Sequence, residues 1–545
     1  MNNFLLENAT YQIYPISFKD SNSDGIGDIK GIISKLDYLY SLGIRIIWLS
    51  PIYSSPMVDM GYDISDYYSI NPKFGTMDDF DELLKKCKKR GMRVIMDLVV
   101  NHTSSQHRWF KEALRDKNSK YRDYYIFKKG KDDGKLPPNN WTSTFLGSAW
   151  QELEDEKGTY YLHLFSKEQP DLNFHNEDVI QEVIKIMNFY LDKGVYGFRC
   201  DVISVIYKES FEDGEKNDKF APVGQEHYVA KEGCHKILKR IRKECIDPHN
   251  AVMIGELYGC KIGDIKNFLD GELDTFFSFD HMQINAKRFF KIKVKPSKLK
   301  ECLIRWQNTY SKNGIYFENH DQLRSINRFV KRGHEKEGSK MLLTLIYSLR
   351  GYPFVYQGEE IGSKNYLNSE FHIDDVRDIV TKKVYQLASS YHLPKCLSFK
   401  KARKEGRDDP RKPMAFSSEK GHGFTDENTK PWQKFSKNDD VINVEMQLKD
   451  KDSTIYYFIK LNELKKEKRV LSYGDIKIYS TSKNTLVYER YTEEEKVLVL
   501  INLSSRRQRV EKRILSLIKD KKVLISNVKE RKEYLLPYQA TIYSL

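Results

Sequence analysis

The stretch DFDELLKKCKKRGMRVIMDLVVNH, residues 79–102, contains the repeating unit on which the fold depends. Apolar residues recur at helical spacing up to Gly91, a residue that commonly ends helices. A short run rich in apolar residues follows at 93–100 and leads into the polar pair Asn101 and His102. A helix that passes through glycine into a short strand is half of a βαβ unit, so this stretch predicts a parallel sheet.

The same alternation of short strands and amphipathic helices recurs on both sides of this stretch. Eight strands are predicted, at 10–18, 44–50, 93–100, 194–202, 251–257, 275–280, 314–320 and 353–360. Eight parallel strands separated by helices predict an α/β fold, a closed (β/α)8 TIM barrel.

Two gaps between the predicted elements are too long for ordinary loops. Residues 102–173 follow the third strand and predict a small inserted domain B, and residues 362–450 form a long insertion after the eighth strand. From residue 470 the pattern changes to alternating strands, which predicts a C-terminal antiparallel β-sandwich domain at 470–545. The barrel would comprise 1–101 and 174–469. Insertions after barrel strands lie on the catalytic face.

Composition excludes several classes of protein. Of 545 residues, 40% are hydrophobic, which excludes global disorder, and no run approaches the ~20 apolar residues that span a bilayer. The N-terminus does not resemble a secretory signal, and the seven cysteines form no CxxC pair, so we expect free thiols and a cytoplasmic protein. The net charge of +14 is spread over solvated helix faces, which disfavours a nucleic-acid partner. We expect a monomer without a membrane partner.

Polar residues cluster where four of the predicted strands end. The third strand carries Asp97 and leads into Asn101 and His102, and the other three end in Arg199-Cys-Asp201, Gly-Glu256 and Asn-His320-Asp321. Buried carboxylates are costly unless they are paired or used in chemistry. Because these strand ends meet at one mouth of a barrel, they predict an active site.

The carboxylates Asp201, Glu256 and Asp321 suit acid–base and nucleophilic work without an organic or redox cofactor. Arg199 lies two residues before Asp201, on the same face of the strand, and would hold it ionised as a nucleophile. The apolar neighbours of Glu256 would keep it protonated as a general acid. Glycoside hydrolysis requires such a pair, one carboxylic acid and one carboxylate.

The segments DLVVNHTS, QPDLN, GFRCDVI, IGELYG and ENHDQLRS, in this order, resemble the sequence regions of glycoside hydrolase family 13, the α-amylase family. More narrowly, the chain resembles its oligo-1,6-glucosidase and α-glucosidase branch. The resemblance implies Asp201 as nucleophile, Glu256 as general acid/base and Asp321 as transition-state stabiliser. It also implies a set of residues around the bound sugar: His102 and His320 as hydrogen-bond donors, Arg199 as partner of Asp201, Asp97 as support for Arg199, Tyr62 as stacking platform, and Asp59 with Arg411 as a clamp on the non-reducing end.

These roles imply a retaining, exo-acting α-glucosidase that acts on short oligosaccharides. In the branch that the chain resembles, a valine after the nucleophile, here Val202, accompanies α-1,6 preference. Three alternatives stay open: a trehalose-6-phosphate hydrolase, a sucrose-isomerising or transglycosylating enzyme, and an inactive binding protein with this fold. The stretch 411–416, RKPMAF, departs from the family's RTPMQW and puts the outer pocket in doubt.

A second candidate site lies in the loop DSNSDGIGD, residues 20–28. Oxygen donors at the first, third, fifth and ninth positions match the first part of a calcium loop, but the bidentate glutamate at position twelve is replaced by Gly31. The alternative is a plain Asx-rich turn. Since family members carry a metal here, we expect a structural Ca²⁺ or Mg²⁺ on Asp20, Asn22, Asp24, Asp28 and the carbonyl of Ile26.

Overall fold

The computed structural model describes residues 3–216, 222–284, 294–529 and 533–545 in full, and only the backbone of the short strands Ala286–Lys287 and Phe290–Lys291. The ranges predicted for the barrel and for the C-terminal domain therefore each include a few residues outside the described ones.

The eight predicted barrel strands are all present in the described chain. Their bounds are β1 Thr10–Ile13, β2 Ile46–Leu49, β3 Arg93–Leu98, β4 Gly197–Cys200, β5 Val252–Glu256, β6 Thr275–Phe277, β7 Gly314–Ile315 and β8 Tyr352–Tyr356. They form one parallel sheet in the order β6-β5-β4-β3-β2-β1-β8-β7, and a parallel bridge between Phe276 and Asn313 joins its two edges. The predicted TIM barrel is confirmed, and all eight strands end at one rim.

Helices cover the outside of the barrel. Their bounds are Ile29–Ser34 and Leu36–Ser41 after β1, Met77–Lys89 after β2, Glu177–Asp192 before β4, Glu232–Ile241 after β4, Ile265–Phe268 after β5, Asp280–Gln283 and Pro296–Thr309 after β6, and Ser325–Phe329 and Glu335–Ser348 after β7. Helix Met77–Lys89 begins at a capping box in which Thr76 and Asp79 satisfy each other's backbone N–H groups. It buries Phe80, Leu83, Leu84 and Cys87, the apolar stripe read from the sequence.

The segment inserted after β3 has its own small antiparallel sheet. Strand Thr159–Leu162 lies between Phe127–Lys129 and Trp150–Glu152, and helix Arg108–Arg115 precedes them. A bridge between His102 and Asp171 ties the two ends of the insertion together. The sheet agrees with a small separate unit, while the predicted limits of domain B, 102–173, stay a prediction.

The long segment after β8 is helical. It contains the helices Ile379–Ser390, Lys395–Glu405, Val444–Lys449, Thr454–Glu467 and Val470–Tyr473. The C-terminal part is an antiparallel sheet of Asp475–Tyr479, Thr485–Tyr491, Lys496–Asn502, Ala540–Ser544 and Val523–Ser526 in spatial order, beside the pair Gln508–Arg509 and Tyr534–Leu535 and helix Lys512–Ile518. This confirms the predicted antiparallel β architecture of the C-terminus, while its limits, 470–545, stay a prediction.

Two features that were considered from composition can be examined in the described residues. No helix there combines the length and apolar character needed to cross a membrane. All seven cysteines are free thiols, as predicted.

Candidate active site

The guanidinium of Arg199 lies at the centre of the predicted site. Its Nη1 donates to Asp201 Oδ1 and to Asp97 Oδ1, each at 2.6 Å, and its Nη2 lies 2.6 Å from Glu256 Oε2. The carboxylates come from the ends of β3, β4 and β5, which are neighbours in the sheet, so parallel strand order alone brings them together. Trp48 and Tyr62 donate to the second oxygen of Asp97, which explains how Asp97 holds Arg199 in place.

One buried cation faces three buried carboxylates, and this imbalance governs protonation. Burial raises the pKa of Asp97 to about 6 although Arg199 opposes it. Burial also raises the pKa of Asp201 well above its ordinary value, again against Arg199, and Glu256 adds to the rise. Arg199 thus acts in the predicted direction, and the ionisation of Asp201 stays a prediction.

Val202 contributes through its backbone. Its N–H donates to Glu256 Oε2 at 3.0 Å, so Oε2 accepts from both Val202 and Arg199. The residue adopts a left-handed conformation with φ 37° and ψ 37°, which is uncommon for a β-branched side chain. Its side chain lies in an apolar cluster with Phe165 and Tyr228.

Asp321, after β7, stands in a cationic environment. Arg411 Nη2 donates to its Oδ1 at 2.7 Å, Arg407 Nη1 lies at 3.4 Å, and His320 Nε2 lies 3.3 Å from Oδ2. Burial acts to raise the pKa of Asp321, but these three groups outweigh it and hold the pKa well below its usual range. Asp321 is therefore ionised at every pH of interest, as a carboxylate that stabilises positive charge must be.

His320 is packed between two aromatic rings. Its imidazole is parallel to the Tyr62 ring, with centroids 5.1 Å apart and an angle of 2°, and stacks on Tyr14 at 5.8 Å. Burial lowers the pKa of His320 to about 3, so the ring is neutral near pH 7. Tyr62 is 5% exposed, and its hydroxyl is fixed by Asp97.

His102 is held on the other side of Tyr62. Its Nε2 lies 3.0 Å from the Tyr62 carbonyl oxygen and 3.1 Å from Gln169 Nε2. Burial lowers the pKa of His102, so it too is neutral at pH 7. Gln169, at the start of the motif QPDLN, also approaches Asp59 Oδ2 at 3.3 Å, and it links the inserted segment to the site.

Asp59 is paired with Arg407, a residue that sequence reasoning missed. Arg407 Nη2 donates to Asp59 Oδ1 at 2.6 Å, whereas Arg411 binds Asp321 and the His320 carbonyl. The predicted pairing of Asp59 with Arg411 is therefore corrected to Asp59 with Arg407. The stretch GRDDPRKPM contains both arginines, with Arg407 four residues before Arg411, and the family resemblance implied only the second.

The departure at 411–416 falls in the core. Lys412 forms a buried ion pair with Asp439. Phe416 is 7% exposed and packs edge-on against Phe18 and Tyr38. Phe416 therefore packs against rings outside the catalytic site, and the effect of the departure on the outer pocket stays a prediction.

The carboxylates of the loop 20–28 are bound to the loop itself. Asp20 accepts N–H groups of Asn22, Ser23 and Gly25, and Asp28 accepts those of Ser21 and Gly31. Among the described residues, no group of three or more His, Cys, Asp and Glu side chains is arranged as metal ligands. The all-oxygen donor set suits a hard cation chemically, so the metal stays a prediction.

Comparison with known proteins agrees with this site. The chain is 43% identical over 516 residues to an oligo-1,6-glucosidase of Bacillus cereus, which covers 92% of this chain and 90% of that one. Among solved structures it matches the trehalose-6-phosphate hydrolase of Bacillus licheniformis (TM-score 0.91, 39% identity, all of both chains) and the trehalulose synthase of Pseudomonas mesoacidophila (TM-score 0.91, 32% identity, 99% of each chain).

The protein is a glycoside hydrolase. This follows from the barrel fold, from the carboxylates at the ends of its strands and from the similar proteins. The family model of the α-amylase catalytic domain matches residues 12–474, and the chain therefore belongs to the α-amylase family, glycoside hydrolase family 13.

Proposed function

We propose that the protein is a retaining, exo-acting α-glucosidase that removes terminal α-1,6-linked glucose from short oligosaccharides. The observation that carries the proposal is the Arg199 fork, which holds Asp201 and Glu256 at the end of adjacent strands. A retaining glycosidase needs one carboxylate as nucleophile and one as acid/base, close enough to act on the same bond. The similarity to an oligo-1,6-glucosidase supports the linkage.

Each residue then has one task. Glu256 protonates the glycosidic oxygen from Oε1, while Arg199 and Val202 hold its Oε2. Asp201, held at Oδ1 by Arg199, attacks the anomeric carbon through its other oxygen and forms a glucosyl-enzyme. Ionised Asp321 stabilises the positive charge that develops on the sugar ring. Glu256, now a base, deprotonates the water that releases α-glucose.

Exo action follows from the closed end of the pocket. The Asp59–Arg407 pair presents a buried carboxylate and guanidinium that suit the hydroxyls of a terminal glucose. Asp378 binds the same guanidinium at 2.8 Å and fixes it from behind. A chain that continued past this pair would have to displace a buried ion pair, which is costly.

One assay tests the proposal. Hydrolysis of isomaltose, panose, maltose, sucrose and trehalose 6-phosphate is compared by kcat/KM, and the anomer released is read by NMR before mutarotation. We expect isomaltose and panose to be the best substrates and α-glucose to be the first product. Release of β-glucose would refute retention.

The alternatives have structural support of their own. The match to a trehalose-6-phosphate hydrolase has a TM-score of 0.91, and the match to a trehalulose synthase, with the same TM-score, keeps sucrose isomerisation as an alternative. Preferential cleavage of trehalose 6-phosphate, or conversion of sucrose into an isomer, would replace the proposed substrate while keeping the catalytic residues. For the loop 20–28, we propose a structural Ca²⁺ or Mg²⁺ remote from the chemistry.

A further inference from the structure

Gln12 lies in the middle of β1 and has no role so far. Its side chain is 2% exposed and points into the barrel beneath the site. Its Nε2 lies 2.8 Å from His320 Nδ1 and 3.1 Å from Ser50 Oγ. A buried carboxamide with both N–H groups placed on neighbours keeps this orientation as long as both neighbours accept.

We propose that Gln12 is a positioning residue that fixes the tautomer of His320, so that its Nε2–H faces the sugar. The proposal rests on the function proposed for the site, in which His320 donates to the bound glucose.

Asp321 determines which nitrogen of His320 carries the proton. Its Oδ2 lies 3.3 Å from His320 Nε2 without forming a hydrogen bond, and because an ionised carboxylate at this distance repels the lone pair of a bare ring nitrogen, Nε2 carries the proton. A neutral imidazole has one proton, which leaves Nδ1 bare as an acceptor. Gln12 must then present its NH2 group, not its carbonyl oxygen, to Nδ1. Ser50 accepts the second N–H and holds the amide in this orientation.

His320 Nε2 is also free to act on a ligand. It is fully buried, and it makes no hydrogen bond within the part of the chain that the structure describes. A buried donor without a partner is costly unless a ligand accepts its hydrogen bond. The tautomer set by Gln12 therefore leaves one N–H without a protein acceptor, which a hydroxyl of the bound sugar would supply.

Other charges surround His320, and a pH experiment has to account for them. Its ring is faced by the following groups from several elements: Asp321 after β7, Arg407 and Arg411 after β8, Arg199 on β4, Tyr14 after β1 and Tyr62 after β2. Four of these are charged and none is altered by a substitution at position 12. A change in His320 in a Gln12 variant can therefore be assigned to the residue at that position.

The test compares Gln12→Glu with Thr10→Val in the full-length enzyme. A glutamate at position 12 only accepts, so it demands a proton on Nδ1 and either removes the Nε2 proton or makes the ring an imidazolium. Thr10 lies two residues earlier on the same strand, and its buried hydroxyl makes no hydrogen bond among the described residues. Its replacement by the isosteric valine is the matched control.

The first readout is the ¹⁵N spectrum of histidine-labelled protein without substrate, in which the His320 signals are identified by their loss in His320→Gln. We expect a protonated Nε2 and a bare Nδ1 in the wild type and in Thr10→Val, and a protonated Nδ1 in Gln12→Glu. A protonated Nδ1 in the wild type overturns the proposal. This readout decides even if Gln12→Glu does not fold, and it is independent of which sugar is cleaved.

The second readout is kinetic. We expect Gln12→Glu to lower kcat/KM about 100-fold, the typical effect of losing one preorganised donor. We also expect the acid limb of its pH profile to shift upward, while Thr10→Val keeps the wild-type profile. If both variants lost kcat/KM equally and kept the wild-type pH profile, Gln12 would have a packing role only. If no α-glucoside is cleaved by the wild type, the proposed function fails while the tautomer measurement stands.

Discussion

Arg407 Nη2 lies 2.6 Å from Asp59 Oδ1 and 2.8 Å from Asp378 Oδ1, so one guanidinium joins two carboxylates from distant parts of the chain. Burial acts to raise the pKa of Asp378, but Arg407 and Arg411 lower it to about 2, which marks a strong ion pair. Asp378 also caps helix Ile379–Ser390 by accepting from the Thr381 N–H. The helical segment after β8 is thus tied through Arg407 to Asp59.

This arrangement predicts the effect of Arg407→Lys. A lysine carries the charge but cannot bind Asp59 and Asp378 with one planar fork. Loss of a hydrogen bond to a charged group costs about 1.5–3 kcal/mol. We expect a corresponding rise in KM for isomaltose of roughly 10- to 150-fold with a smaller change in kcat. Arg403→Lys is the control, because Arg403 pairs with Asp409 in the same segment, away from Asp59. Equal effects of both substitutions would contradict the clamp.

Glu256→Gln should lower activity more on substrates with poor leaving groups than on substrates with good ones. Glutamine keeps an acceptor for Arg199 and Val202, but it cannot donate an acidic proton to the glycosidic oxygen. General acid catalysis contributes about 10²–10⁴-fold, so we expect a loss of that order on isomaltose. Aryl glucosides with acidic phenols need little protonation, and their first step should be affected much less, as measured by the burst of released phenol. An equal loss on both substrates would assign the acid to another residue.

The loop 20–28 predicts a metal effect on stability. A cation that binds only the native state stabilises it by about 2.7 kcal/mol when its free concentration is 100 times Kd. We expect EDTA to lower the melting temperature, Ca²⁺ or Mg²⁺ to restore it, and the ratio of isomaltose to maltose hydrolysis to stay constant. Asp24→Asn should reproduce the chelated state without chelator. An unchanged melting temperature, with no metal found by elemental analysis, would leave an Asx-rich turn.

Buried histidines predict how stability depends on pH. Burial lowers the pKa of His281 to about 3, against about 6.5 for an unfolded chain, and its Nε2 lies 2.7 Å from the Tyr316 carbonyl. The unfolded chain therefore binds the proton first, and stability falls as pH drops from about 6.5 toward 3.

His281→Gln keeps a donor for the Tyr316 carbonyl and removes this titration. We expect the fall in unfolding free energy between pH 6 and 4.5 to be smaller in the variant, by about 1.4 kcal/mol per pH unit at most. Melting temperatures across this range check it. Parallel curves for variant and wild type would mean that His281 does not contribute.

Sequence reasoning worked where the signal was local. The eight strands follow from runs of apolar residues between helices, and the catalytic candidates follow from polar residues at strand ends. It missed contacts between distant positions. Gln12 and His320 are separated by 308 residues, and Asp59 and Arg407 by 348. Nothing near Gln12 distinguishes it from a polar residue inside an ordinary strand, and only the closed barrel places it under His320. The balance of charges at the site could not be predicted either, because the sequence does not reveal that Arg199 is shared by three carboxylates.

Substitutions of Val202 test why the enzyme would prefer an α-1,6 linkage to an α-1,4 linkage. Its backbone N–H binds Glu256, and its side chain, 6% exposed, lies between the nucleophile and the apolar cluster with Phe165 and Tyr228. We propose that this side chain narrows the rim where the leaving sugar binds. The sugar of maltose, attached directly to the ring, is crowded there, whereas the extra methylene of a 1,6-linkage lets the leaving ring turn away.

A difference of this kind is worth about 1–3 kcal/mol, or roughly 10- to 200-fold in kcat/KM. We expect the wild type to prefer isomaltose over maltose, and Val202→Thr to shift the ratio toward maltose. Threonine has the shape of valine but carries a hydroxyl in place of one methyl group. Val202→Ala therefore tells the two causes apart: it shifts the ratio if the methyl groups crowd the leaving sugar, and it leaves the ratio unchanged if polarity matters. All three residues have to adopt the left-handed conformation of position 202, so melting temperatures control for backbone strain. If the wild type used maltose as well as isomaltose, Val202 would be ordinary packing next to the nucleophile, and the selection of linkage would have to lie elsewhere at the pocket mouth.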